Sequence, residues 1–323
     1  MLSIIIIGKN EGANLPQVEQ SVRALVDFCS FPVEVVYVDS ASSDDSVRLA
    51  RQFCDKVIEL EESDRSCASA GRYIGTLNST HPWLLYLDAD MEVREEFFPI
   101  VQEKVAAGSE YVGFIGTYIH HFDDGSSAVQ EFNGEFLKSD LAAHFGGAVL
   151  LRKDPVLEAG NWDPGVFGKE EMNLYTRLGN GDRVVRCIDV PMVNHHSEYY
   201  TRFQLFVRLL YPDGGQGKVF YGFGQSLHAL LKKGKLLAYL RLDAELTIFW
   251  ALLIFGLVLA PLSFWGAIFI AVELLMLSIW MGPGTVMRFS CLVIPLITGW
   301  TKYQGDIEPK ISNIWAKSAA ASD

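Results

Sequence analysis

Apolar and polar positions alternate in blocks along the first ninety residues. Leu2–Ile7 and Val33–Val38 are short runs rich in Ile and Val, the pattern of strands buried on both faces. Lys56–Leu60 and Trp83–Leu87 predict two more strands. Between them lie helical stretches, about Leu15 to Phe28, Ser46 to Cys54 and Ser66 to Asn78. This rhythm predicts an α/β fold: an open, mostly parallel sheet flanked by helices. Ligands of such sheets bind beyond the carboxyl ends of the strands. Asn10, Asp39, Asp88 and Asp90 all fall there. Farther on, Tyr111–His120 and Ser127–Phe132 flank Asp123-Asp124-Gly125-Ser126 and predict a hairpin. A helix around Glu170–Leu178, a strand around Arg183–Asp189 and the pair His195-His196 follow.

The apolar pattern changes character after residue 245. Leu246–Met281 is 36 residues long with one charge, Glu273. As a single helix it would measure roughly 54 Å, too long for one crossing of a roughly 30 Å hydrocarbon core. Two transmembrane helices hinged near Pro261 fit better, and Trp250, Trp265 and Trp280 recur along the run. Val286–Trp300 is a third apolar stretch, either a span, a re-entrant piece or an interfacial helix. Ahead of the run, Gln225–Arg241 sets six leucines among Lys232, Lys233, Lys235 and Arg241, which predicts a basic amphipathic helix on membrane lipids. Those cations favour a cytoplasmic location for this flank and for the domain before it, in an inner-membrane protein. Four regions result: a catalytic domain over 1–205, an interfacial linker over 206–245, a membrane region over 246–302 and a polar tail over 303–323.

Composition narrows the partners. The 323 residues carry 27 Lys plus Arg against 39 Asp plus Glu, a net charge of −12. That balance argues against nucleic acid as a partner. Half of the residues are hydrophobic and mean hydropathy is +0.18, which excludes disorder. The start is not expected to be a signal peptide, because Lys9 and Glu11 directly follow Ile4–Ile7. Five scattered cysteines, with no CxxC pair, fit reduced thiols in a cytosolic domain.

The chemistry centres on Asp88-Ala89-Asp90, which follows the buried run Leu84–Leu87. Two carboxylates on one turn can face one hard cation, Mg²⁺ or Mn²⁺. Such a cation makes a diphosphate a better leaving group by neutralising the charge that grows as the bond breaks.

These residues resemble glycosyltransferase family 2. Ser3–Glu11 is similar to its opening strand, Val38–Asp44 to its second acidic motif and Ala70–Gly75 to its arginine-bearing helix. Leu87–Asp90 is similar to its metal motif, and Gly146-Gly147, Gly160–Asp163 and Phe167–Leu174 to its acceptor-side block. The resemblance covers about the first 200 residues. It implies a GT-A fold, a nucleotide-sugar donor, a divalent metal and inversion at the anomeric carbon. By position it implies that Ile7, Lys9 and Glu11 line the nucleotide and that Asp39 meets the base. Arg72 would approach the diphosphate, Asp88 the ribose or metal, and Asp90 the metal. Asp39 serves equally well as a turn former, Asp44 better as a helix cap, and Arg72 could simply pair with a neighbouring acid.

Glu170-Glu171 stands where the family has Glu-Asp, so Glu171 is the candidate general base and Glu170 the runner-up. His195 is a further candidate metal ligand, level with a histidine packed on the sheet; His120 and His121 are not expected to be ligands. The Gln-x-x-Arg-Trp of processive relatives has no counterpart in Arg202–Arg208, which implies one sugar per acceptor. The acceptor implied is a hydroxyl of a lipid-linked or free saccharide, in cell-surface polysaccharide or glycolipid assembly. A polyprenyl-phosphate sugar transferase and a non-catalytic receptor for a nucleotide sugar are the competing readings.

Overall fold

A computed structural model describes residues 1–63, 67–132, 145–179, 184–201, 204, 221–242, 251, 293–305 and 307–317. The chain divides into two compact units, Met1–Tyr199 with Gln304–Asp323, and Tyr200–Tyr303.

The first unit is built on β1 (Leu2–Gly8), β2 (Val33–Asp39), β3 (Lys56–Leu60) and β4 (Trp83–Asp88). They lie side by side in the order β3-β2-β1-β4, all parallel. Ile4, Ile5, Ile6, Leu84, Leu85 and Tyr86 are fully buried, as strands covered on both faces must be. Helix α1 (Leu15–Phe28) opens with Pro16 in its first turn and buries Leu15, Val18, Val22 and Leu25, a single stripe at helical spacing. The short α2 (Ser46–Ala50) links β2 to β3. Helix α3 (Ala68–Asn78) lies against β1 through Gly71 and Gly75; a Cβ on Gly75 would sit 2.3 Å from Ile5 Cγ2. Only glycine permits so close an approach of helix to sheet.

Beyond β4 the sheet becomes mixed, where a mostly parallel one was expected. β8 (Val149–Arg152) pairs antiparallel with β4, and β6 (Gly113–Phe122) antiparallel with β8. β9 (Val185–Ser197) runs parallel to β6, and β5 (Met91–Val93) antiparallel to β9. β7 (Ser127–Gln130) completes the predicted hairpin with β6. Helices α4 (Phe98–Ala107), α5 (Lys153–Glu158) and α6 (Glu170–Leu178) complete this unit.

Two expectations change. β9 continues through Pro191 to Ser197, so His195 and His196 stand within a strand rather than after one. Residues expected in a polar tail contain β10 (Ile311–Ala316), which pairs antiparallel with β3. Ile311, Ile314 and Trp315 give that segment the β-branched and aromatic character of a strand.

In the second unit the single basic helix expected over Gln225–Arg241 is two, α7 (Gly222–Lys232) and α8 (Leu236–Leu242). Gly234, at φ +67°, ends the first. Its N–H donates to Leu231 O and the Lys235 N–H to Leu230 O, the paired bonds of a left-handed glycine cap. The later α9 (Val293–Lys302) accepts a bond at Trp300 O from His228 Nδ1 of α7, at 2.8 Å. The two spans expected within Leu246–Met281 lie outside the described residues, apart from Ala251. So do residues 286–292 of the third stretch. Among the described residues no helix is long and apolar enough to cross a membrane.

Replacing Gly75 by Ala pushes a methyl into Ile5. A loss of about 1–3 kcal/mol in unfolding free energy is expected, with partial recovery on adding Ile5→Val, both read by urea denaturation. Equal stability of Gly75→Ala and wild type would refute the close approach.

Candidate active site at the strand ends

The parallel register brings the acids together. Gly8 of β1 is opposite Asp39 of β2, and Ile7 is opposite Asp88 of β4, so both carboxylates leave the sheet at one edge. The loops after β1 and β2 are stitched to each other. Asn10 N–H donates to Ser42 Oγ at 2.8 Å, and Ser43 N–H donates to Asn10 Oδ1 at 2.8 Å. Glu11 N–H donates to Ser46 Oγ and Gly12 N–H to Asp44 Oδ2, each at 2.9 Å. Asn10 and Ala41 take left-handed conformations to make the turns, at φ 59° and 60°. Asp44 also accepts from Ser46 N–H at 3.0 Å, one residue ahead of Asp45, which is the N-cap of α2.

Asp39 is buried and holds Ser42 with both oxygens, the N–H at 2.7 Å and the hydroxyl at 2.6 Å. It is a turn former; Oδ1 also accepts from the Tyr37 hydroxyl at 3.5 Å, and Oδ2 retains a second lone pair for a ligand. Burial raises its pKa against those two bonds. Ile7 buries its side chain against Gly71, leaving its backbone at the strand end, while Lys9 is exposed. Glu11 is half-buried and accepts from Asn14 Nδ2 at 2.7 Å. Its pKa is raised by burial first, with Asp90 and Asp88 adding repulsion.

Arg72 is the centre of the arrangement. Its side chain is 1% exposed and reaches from α3 to Asp88 Oδ1 at 2.6 Å and Glu170 Oε1 at 3.0 Å. Its guanidinium carbon lies 4.9 Å from the Trp162 ring centroid. Burial works against its charge, but Asp88 and Glu170 outweigh burial and its pKa is raised. Gly147 allows the pair to form: a Cβ there would meet Asp88 Oδ2 at 2.2 Å. Arg72 therefore pairs with acids, as one reading of the sequence held, yet in a buried cluster and not on a helix surface.

Asp88 carries a raised pKa because it is buried, with Arg72 opposing and Asp90 adding. Asp90 keeps one oxygen, Oδ1, buried without a hydrogen-bond partner among the described residues. Its Oδ2 lies 3.3 Å from His195 Nε2; burial works against charge on His195, but the Asp90 contact outweighs it and the His195 pKa is raised. Among the described residues no three His, Cys, Asp or Glu side chains close on one metal position. The residues nonetheless fit an open site for a hard cation: Asp90 has an unused oxygen, His195 stands beside it, and Asp88 is committed to Arg72. The remaining ligands would come from a bound diphosphate.

Glu170 and Glu171 open α6, where carboxylates favour the positive helix end. Their environments separate them. Glu170 is tied to Arg72, whereas burial, with Glu170 adding, pushes the Glu171 pKa up to about 8. A carboxylate so raised is suited to accept a proton near neutral pH. The geometry thus makes Glu170 the counter-ion of Arg72 and leaves Glu171 outside that ion pair.

Two residues of this cluster were not singled out from the sequence, Trp162 under Arg72 and Gln130; His120, named there only as not expected to be a ligand, lies with Gln130 behind His195. His120 Nδ1 lies 3.0 Å from His195 Nδ1, and Gln130 Oε1 is 2.8 Å from His120 Nε2. The signal available was the period of two along β6 and β9, which puts His120 opposite His195 once the strands are paired.

Residues 3–149 match the sequence model of the family described as Glycosyl transferase family 2. An uncharacterized glycosyltransferase of Rickettsia felis is 34% identical over 100 residues, a stretch spanning 29% of this chain and 30% of that protein's length. The mannosyltransferase PcManGT of Pyrobaculum calidifontis, solved with GDP-Man and Mn²⁺, superposes with a TM-score of 0.54 at 15% identity, over 92% of this chain and 86% of that one. The TarS 1–349 fragment of S. aureus, solved with UDP-GlcNAc, gives 0.51 at 13% identity, over 98% and 97%. At these identities the likeness is one of fold, a GT-A-like α/β architecture.

Replacing Arg72 by Met strands two acids beside Trp162. It is expected to cost about 3–5 kcal/mol of stability, and a further Glu170→Leu should return part of that loss in urea denaturation. Additive losses in the double variant would contradict the buried triad.

Proposed function

Residues 3–149 belong to glycosyl transferase family 2, and on that footing we propose that the chain is an inverting glycosyltransferase that takes one sugar from a nucleotide donor. The observation that carries this reading is the charge at the strand ends. Asp88, Glu170 and Glu171 act on one buried cation, Arg72, Asp90 and Glu11 interact with Asp88, and Asp39 leaves the same end of the sheet. A nucleoside diphosphate brings further negative charge and can enter such a corner only with a counter-charge. Mn²⁺ or Mg²⁺ would be held by Asp90, with His195 and Asp88 beside it. When bound, the cation supplies charge neutralisation for the departing diphosphate.

The chain's own residues do the rest. Asp39 and the backbone at Ile7 bound the space for base and ribose, with Lys9 and Glu11 at its rim. Arg72 fixes the direction of Asp88 so that the ribose or metal side of the donor meets a carboxylate in one orientation. Glu171 takes the proton from the acceptor hydroxyl as that oxygen attacks the anomeric carbon from the face opposite the nucleotide.

The acceptor is a saccharide hydroxyl, lipid-linked in the reading favoured by the sequence. The apolar run Leu246–Met281 supports an anchor in the membrane, and Lys232, Lys233, Lys235 and Arg241 support a cytoplasmic face. An anchor raises the effective concentration of a lipid-linked acceptor.

Transfer from a panel of UDP- and GDP-sugars tests the reading. Glu171→Gln should lower transfer by about 10²–10⁴-fold while donor affinity stays unchanged. Retained turnover would favour a phosphate acceptor, which needs no strong base. Only the ionised carboxylate accepts a proton, so kcat/KM should rise with pH and level off above about 8. A flat profile between pH 6 and 9 would remove Glu171 as the base.

A further inference from the structure

The histidines behind Asp90 form a chain with a direction. β6 and β9 are in register with His120 opposite His195, and β7 returns Gln130 to the same face. Gln130 Oε1 lies 2.8 Å from His120 Nε2. An amide oxygen only accepts, so His120 Nε2 carries the proton. A neutral His120 then has a bare Nδ1, 3.0 Å from His195 Nδ1, and His195 must donate there. A neutral His195 is left with its lone pair on Nε2, 3.3 Å from Asp90 Oδ2.

Two lone pairs facing each other at that separation repel, and the contact becomes attractive with a cation shared between them. The separation suits this: adjacent donors on an octahedral cation at about 2.1 Å lie about 3 Å apart. Asp90 Oδ1, buried with no partner among the described residues, adds acceptor capacity at the same place.

We propose that Gln130 and His120 are positioning residues that fix the tautomer of His195 and so present its Nε2 lone pair, together with Asp90, to a divalent cation. Metal-bound histidines are commonly oriented this way by a partner on the other ring nitrogen. The proposal rests on the metal site argued above and adds to it the two residues that set its donor.

The test is a Mn²⁺ titration of the purified full-length chain with GDP or UDP present, followed by the electron paramagnetic resonance signal of free Mn²⁺. His120→Phe and Gln130→Met should weaken Mn²⁺ binding by about 10–100-fold. Gln130→Glu keeps an acceptor at His120 Nε2 and should bind at least as tightly as wild type. Gln130→Met changes no charge, and Gln130 sits on a half-exposed hairpin strand, so a loss there cannot be assigned to charge or to unfolding. Asp90→Asn separates the two levels of the argument. If it abolishes binding while His120→Phe and Gln130→Met leave it unchanged, the relay is wrong and the metal site stands. Equal weakening by Gln130→Met and Gln130→Glu also overturns the relay. If wild type binds no Mn²⁺, or Asp90→Asn binds as tightly, the metal site and the relay fail together.

Discussion

A guanidinium almost wholly removed from water is tolerated only when its charge is met, and at Arg72 it is met by Asp88 at one terminal nitrogen and Glu170 at the other. This interaction joins three elements far apart in the sequence: α3, the end of β4 and the start of α6. It orients Asp88, assigns Glu170 a structural partner and leaves Glu171 with a raised pKa. Trp162 covers the guanidinium and Gly147 clears the space for the contact. Removing Arg72 would leave Asp88 and Glu170 without their counter-ion, which is far costlier than never having buried the cluster.

The same constraint explains the charge logic of the strand ends. Arg72 is consumed by its own acids, so its charge is not free to receive a diphosphate. Asp90, by contrast, has an oxygen without a partner among the described residues and an imidazole beside its other oxygen. On the proposed reading the corner takes a small cation, and a polyphosphate ligand would complete that cation's shell. Burial of Asp39 and Glu11 nearby raises their pKa values, as expected where several acids crowd one edge.

Much of this was legible in the sequence because it is local. A buried apolar run that stops at an Asp places that Asp at a strand end, which located Asp39, Asp88 and Asp90. The start of α6 at Glu170 was equally plain from its helical spacing. What stayed hidden is non-local. Nothing in the spacing pairs Arg72 with Glu170, 98 positions apart. β9 was expected to stop near Asp189, since Pro191 lacks an N–H for the ladder. The sheet instead absorbs Pro191 with a register shift opposite Thr117 and carries the strand on to His195. Only then do His120 and Gln130 fall behind His195. Gly234 was a visible helix stop that the leucine periodicity on either side outweighed.

The claim at the centre is that Asp90, beside Asp88 and His195, holds a divalent cation against the donor's diphosphate. Anomalous scattering at the manganese edge from crystals grown with Mn²⁺ and a nucleotide sugar tests it directly. A peak within coordination distance of Asp90 and of the diphosphate oxygens is the predicted result. A bound donor with no peak there, or with the ion held by other residues, would contradict the account.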